Sequence, residues 1–200
     1  QLIRIPNLFT VPGDILVGHA AVVMMTDFSI FNFLFLCIIS ALIYSSGLVL
    51  NDCVDYEEDK RERPKRPLPS GAISIKEAYC GWLLMTLGAL FLSWIIGNAT
   101  FNITLTLIIL VILYNGPARR LPIFAFVVMG LCRGFNILLG ASTGWGHDAF
   151  SFQIAPAFLT ETLYILAVTY IAYNETKKLP KKIWCQMPFI VAACGGLLAA

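Results

Sequence analysis

The chain has 200 residues, 58% of them hydrophobic and 13% charged, with a formal net charge of +2. Soluble domains carry about 25% charged and 45–50% apolar residues, so this composition excludes an ordinary cytosolic domain, a disordered chain and a disulfide scaffold. So small a net charge gives no footing for nucleic acid; the partner it implies is a lipid bilayer.

The expected fold is all-α, a polytopic bundle of transmembrane helices. A crossing takes roughly 20 apolar residues, and seven stretches reach or approach that length: 8–25, 28–50, 78–96, 100–114, 121–141, 154–173 and 183–200. The first is interrupted by Pro12, Asp14 and His19, and the fourth is short. The six cysteines, Cys37, Cys53, Cys80, Cys132, Cys185 and Cys194, show neither CxxC nor zinc spacing, so they read as small buried hydrophobes.

The basic residues give the spans a direction. Arg4 precedes the first span, and Lys60, Arg61, Arg63, Lys65, Arg66 and Lys76 fall between the second and third. Arg119 and Arg120 follow the fourth, and Lys177, Lys178, Lys181 and Lys182 follow the sixth. Thirteen of the fourteen thus lie on one side if seven spans alternate, Arg133 alone being inside a span. By the positive-inside rule that side is cytoplasmic, and we expect a bacterial inner membrane.

The segment between the second and third spans, NDCVDYEEDKRERPKRPLPSGAIS, sorts its charges. Asp52, Asp55 and Asp59 stand at i, i+3 and i+7, which sets three carboxylates on one helical face, with Asn51 at its edge. Stacked carboxylates repel, so something positive belongs against them. Either Lys60, Arg61 and Arg63 neutralise a solvated loop, or the acids bind Mg²⁺. That ion usually takes one or two carboxylates plus substrate phosphates. Arg63, Lys65 and Arg66 suit phosphate oxygens, and Pro64, Pro67, Pro69 and Gly71 stiffen the return of the chain.

NDxxDxxxD followed by RPxRPxPSG resembles the first aspartate-rich motif of the UbiA superfamily of intramembrane prenyltransferases. Here it falls on Asn51, Asp52, Asp55 and Asp59, then Arg63, Pro64, Arg66 and Gly71. Arg4 and Asn7 are similar to the family's Arg-x-x-Asn before the first helix, and Tyr114, Arg119 and Arg120 to its Tyr-Pro-x-x-Lys-Arg segment. The resemblance implies about nine helices, of which residues 1–200 would be the first seven, a single transmembrane domain continued beyond the C-terminal residue given. It implies transfer of an isoprenoid from a polyprenyl diphosphate to an acceptor, commonly aromatic. Mg²⁺ would be held by Asn51, Asp55 and Asp59, with Asp52 and Glu175 completing the catalytic set. Arg4, Asn7, Arg63, Arg66, Tyr114, Arg119 and Arg120 would bind substrate. Tyr44, Tyr56, Tyr114, Tyr170 and Tyr173 are candidates to face an allylic cation, or interface anchors.

One departure bears on catalysis. The family's second aspartate motif is replaced by AYNETKK, Ala172 to Lys178, where Glu175 is the only acid. Asn174, beside it, and Lys177 and Lys178 are candidates for substrate binding, a lysine taking over the missing positive charge against the diphosphate. A non-catalytic UbiA-like carrier or lipid-binding protein is the alternative, since a UbiA-like branch in the bacterial Ebo gene clusters has a similarly degenerate second motif. A CDP-alcohol phosphotransferase would need a DGxxAR run, and the sequence has none.

Asp14, His19, Arg133, Asn136 and Glu161 lie within apolar spans, where such groups usually face the bundle interior. At 1.5 Å per residue, Arg133 and Glu161 fall at similar depth, roughly 20 Å from the basic helix ends. An ion pair or shared polar cavity is expected there, with Asn136 a turn away and Arg133 and Asn136 as substrate-binding candidates. His19 reads as a hydrogen-bonded core histidine.

Overall fold

The computed structural model describes residues 11–23, 29–144 and 150–175, with positions 186, 188, 190 and 191 singly. Those residues form seven α-helices and no strand: α1 (Val11–Val23), α2 (Ile30–Val54), α3 (Tyr56–Glu62), α4 (Ile75–Ile96), α5 (Asn98–Asn115), α6 (Pro122–Ala141) and α7 (Phe150–Glu175). Five of them, α2, α4, α5, α6 and α7, are long and apolar enough to cross a membrane. The described part of the first predicted span is the 13-residue α1, and the seventh, 183–200, lies almost wholly outside the described residues.

Local chemistry sets the helix ends. Ser29 caps α2 by accepting from the Asn32 amide at 3.3 Å. Ser74 and Glu77 form a reciprocal capping box at the start of α4, which satisfies two amide donors that the helix cannot. Gly97 alone links α4 to α5, at φ 153, a conformation that favours glycine. Past Asn115, Pro117 has no amide hydrogen to extend α5, and a 3₁₀ turn over Pro117–Arg120 leads to Pro122 in the first turn of α6.

The helices pack as a ring. α6 touches α1, α5 and α7, and α2 touches α1, α4 and α5. The main core lies where these meet, around Ile15, Leu36, Ile39, Ile43, Leu107 and Leu139. Glycines allow two close crossings. A Cβ on Gly18 would strike the Ile137 carbonyl, and one on Gly140 the Ile15 carbonyl, so α1 and α6 meet backbone to backbone. Gly130 and Gly134 admit Thr162 and Phe158 of α7 in the same way, small residues every fourth position being a membrane packing device. The outer surface is apolar, with Phe31, Leu84, Trp94 and Ile123 all exposed. Several hydroxyls in the spans bond within their own helices, Thr86 to the Trp82 carbonyl, Ser93 to Leu90 and Thr162 to Phe158, which removes the cost of a bare donor in hydrocarbon at those positions. His19 is buried, its ring 5.9 Å from that of Phe33.

Candidate active site

The acidic face extends α2 past its apolar part. α2 ends at Val54 and α3 begins at Tyr56, yet the i to i−4 bonding continues, from the Asp55 amide to the Asn51 carbonyl at 2.9 Å and from the Asp59 amide to Asp55 at 2.8 Å. Asn51, Asp52, Asp55 and Asp59 therefore share one side of a nearly continuous helix, as their spacing predicts. Asn51 Nδ2 donates to Asp55 Oδ2 at 2.9 Å.

The chain then turns back and returns a cation to that face. Leu68 is buried with Val49, Cys53 and Ala78, and Gly71 supplies the left-handed turn at φ 78. Pinned by Leu68, the loop directs Arg66 onto the acids: it donates to Asp59 Oδ2 and lies 3.6 Å from Asp52 Oδ1. Arg63, more exposed, approaches Asp59 Oδ1 at 3.7 Å. Of the neutralising residues expected from sequence, Lys60 instead sits over the Tyr56 ring, 5.8 Å from its centroid. Arg66 does most of the compensation, a role the loop's fold gives it and that spacing alone did not show.

Above this end opens a cavity of about 720 Å³ between α2, α5, α6 and α7, with Val11 of α1 also on its wall. Asn51, Asp52, Arg66, Tyr114 and Asn115 line one end; Ile43, Leu48, Val111, Met129 and Ile165 are among its apolar walls. Asp55 and Asp59 are absent from that lining, so of the three acids on this face Asp52 is the one presented to the cavity, while Asp59 is buried under Arg66. Among the described residues no three acids, histidines or cysteines converge to hold a metal by themselves. Asn51 and Asp52 on the wall, with Asp55 bonded to Asn51, fit the manner in which Mg²⁺ uses one or two carboxylates and leaves its other positions to phosphate and water.

The cavity's other end is polar too. Arg133 Nε lies 3.7 Å from Glu161 Oε1, the pair expected from their depth. Its closer partner is one the sequence did not reveal: Arg133 Nη2 donates to Asp14 Oδ1 at 2.9 Å. Asn136 Nδ2 donates to Asp14 Oδ2, also at 2.9 Å, and its Oδ1 accepts from the Ser40 hydroxyl. Ser40, Arg133, Asn136 and Glu161 line the cavity.

The five tyrosine candidates separate. Tyr44 and Tyr114 line the cavity, while Tyr56 packs against the Leu68 cluster. Tyr170 and Tyr173 lie edge-on to Phe126, at 6.1 and 5.3 Å. Tyr164, not singled out from sequence, also lines the cavity. Its position three residues after Glu161 is the signal that could have found it. Arg4, Asn7, Lys177 and Lys178, and the side chains of Arg119, Arg120, Asn174 and Glu175, lie outside the described residues.

Comparison with known proteins agrees with this architecture. The digeranylgeranylglyceryl phosphate synthase of Methanosarcina mazei is 31% identical over 169 residues, covering 79% of this chain and 57% of that protein. The chain spans only about half the length of the curated relatives it matches. A solved structure described as giving insights into the biosynthesis of digeranylgeranylglyceryl phosphate synthase in membranes superposes with a TM-score of 0.77 at 21% identity, covering 99% of this chain and 82% of the other. A UbiA homologue from Archaeoglobus fulgidus, bound to DMAPP and Mg²⁺, superposes with a TM-score of 0.66 at 16% identity, covering 96% and 72%. At these identities the structures speak to the fold. The relatives are archaeal, so the expected bacterial membrane draws no support from them. The UbiA prenyltransferase family profile matches residues 14–178, and with the helical ring and the acidic face at its mouth, the chain belongs to that family.

Proposed function

We propose that the protein transfers a prenyl group from an allylic prenyl diphosphate to an acceptor inside the membrane, with Mg²⁺ at the acidic end of the cavity. The observation that carries this reading is the cavity itself: an acidic and arginine-bearing mouth opening into an apolar chamber among membrane helices. That polarity matches a substrate with a phosphorylated head and an isoprenoid tail.

Asn51 and Asp52, supported by Asp55, would hold the ion, which when bound neutralises the diphosphate and makes it a better leaving group. Arg66 and Arg63 bind the outer oxygens, as fixed donors do where charge develops. Arg119 or Arg120 and Lys177 or Lys178, with Arg4 and Asn7, belong to the same proposed set. The apolar walls keep water from the allylic carbon, and the ring faces of Tyr44, Tyr114 and Tyr164 stabilise positive charge there. By the positive-inside rule the acidic mouth faces the cytoplasm. The archaeal relatives are named for a glyceryl phosphate product, whereas the family resemblance alone favours an aromatic acceptor.

The test is incubation of the purified protein and Mg²⁺ with labelled prenyl diphosphates of increasing length, following diphosphate release. Asp52→Ala is expected to reduce release at least 100-fold, in line with loss of one preorganised charge-stabilising group. If no chain length gives release, the weakened second motif around Glu175 points to the non-catalytic carrier.

A further inference from the structure

The remote end of the cavity is not explained by diphosphate binding. Ser40 precedes Asn51 by 11 residues in α2, roughly 16 Å along a helix. There α1, α2, α6 and α7 each contribute a polar side chain to one network. Ionisable groups at such depth are costly and generally mark a ligand path or a sealed pair. Asp14 belongs to a sealed pair: it is 7% exposed, and each of its oxygens accepts a hydrogen bond at 2.9 Å.

Glu161 is different. Its ion-pair contact to Arg133 Nε is 3.7 Å, longer than a hydrogen bond, its side chain keeps 26% exposure, and it lies on the cavity wall. A carboxylate has about four acceptor sites, so Glu161 offers the cavity acceptor capacity that the protein leaves unused. An isoprenoid tail packed there would desolvate it without supplying a donor, which is unfavourable. An anionic group would meet two carboxyl groups sharing one guanidinium, whose Nη2 is already committed to Asp14. The group that fits is a donor without negative charge.

We infer that this end of the cavity is the seat of the acceptor's uncharged hydroxyl group, with Glu161 receiving its hydrogen bond and the Asp14–Arg133–Asn136 cluster holding Glu161's surroundings in place. The inference rests on the transferase reading and narrows it, because an acceptor phosphate or carboxylate is excluded from this end.

Binding to the purified protein in lipid nanodiscs tests it with two matched pairs: 1-O-hexadecylglycerol against its phosphate monoester, and hydroquinone against 4-hydroxybenzoate. In at least one pair the neutral member is expected to bind more tightly than its anion. Glu161→Ala should weaken that binding at least tenfold, and Glu161→Gln, which keeps one accepting oxygen, by less. DMAPP with Mg²⁺ should bind both variants as it binds the parent, which also shows that they are folded. Tighter binding of both anions that does not depend on Glu161, no binding of either neutral compound, or neutral binding unchanged in Glu161→Ala would overturn the seat. Should the neutral arm hold while DMAPP fails to bind the parent protein, the transferase reading falls and the hydroxyl seat stands.

Discussion

Arg133 is the residue on which the membrane interior of this protein turns. It stands between Asp14 and Glu161, and Asp14 is buried and bonded by Arg133 and Asn136. Removing one partner of a buried ion pair strands the other charge, a loss of about 3–5 kcal/mol. Arg133→Met is therefore expected to lower the thermal unfolding temperature in detergent sharply. The double variant with Asp14→Asn should recover much of the loss, because the buried stranded charge is gone and only the part-exposed Glu161 has lost its cation. A double variant no more stable than Arg133→Met would show that Asp14 is not what Arg133 compensates. The acids of the mouth were legible from spacing, since i, i+3 and i+7 on a helix fix a common face. The Asp14–Arg133 contact was not, because it joins residues 119 apart on helices that are not consecutive. Nor could spacing show that Asp52 rather than Asp59 faces the cavity, which depends on where Arg66 comes down.

Among the elements, two devices position the site. The crossing of α1 and α6 depends on Gly18 and Gly140, each lying against the other helix's backbone. Backbone carbonyls cannot step aside for a methyl group, so overpacking costs typically about 1–3 kcal/mol. Gly140→Ala is expected to destabilise by at least that much and to weaken the Asp14 bonds that span the same crossing; unchanged thermal stability would refute it. The loop after α3 is the other device. Leu68→Ala removes its buried anchor, at about 2–5 kcal/mol for a core leucine if the loop stays packed. Because the anchor lies two residues from Arg66, weaker DMAPP binding should accompany the change, and unaltered binding would show that Arg66 finds the acids without it. Hydropathy located the spans but not their ends. α2 runs on from 50 to Val54 because helical hydrogen bonding does not stop where apolar residues do, and α4 starts at Ile75 rather than 78 because the Ser74–Glu77 capping box opens it.

For the molecule as a whole, charge placement is what the sequence made plainest. Thirteen of the fourteen basic residues fall outside the spans predicted from hydropathy; in the described spans Lys76 stands at the first turn of α4, and Arg133 of α6 lies far from either helix end. The proposed orientation places exposed Ser70 in the cytoplasm. In a cysteine-free background, Ser70→Cys is expected to resist a membrane-impermeant maleimide in intact cells and to react once the membrane is permeabilised; labelling in intact cells would invert the topology. The acceptor's chemistry was hidden at the sequence level for a related reason. The cavity takes its walls from five helices and the Arg66 loop, and hydropathy gives no information about which faces turn toward one another.

The single-residue link at Gly97 bears on how the protein is made. With only one residue between Ile96 and Asn98, the polar stretch to be carried across the bilayer is little more than Gly97 and the first turn of the second helix, with Asn98, Thr100 and Asn102. A link that short couples the insertion of α4 to that of α5, and we expect the two to enter the membrane as a hairpin. The far face of the bilayer correspondingly offers a protease nothing to cut between them.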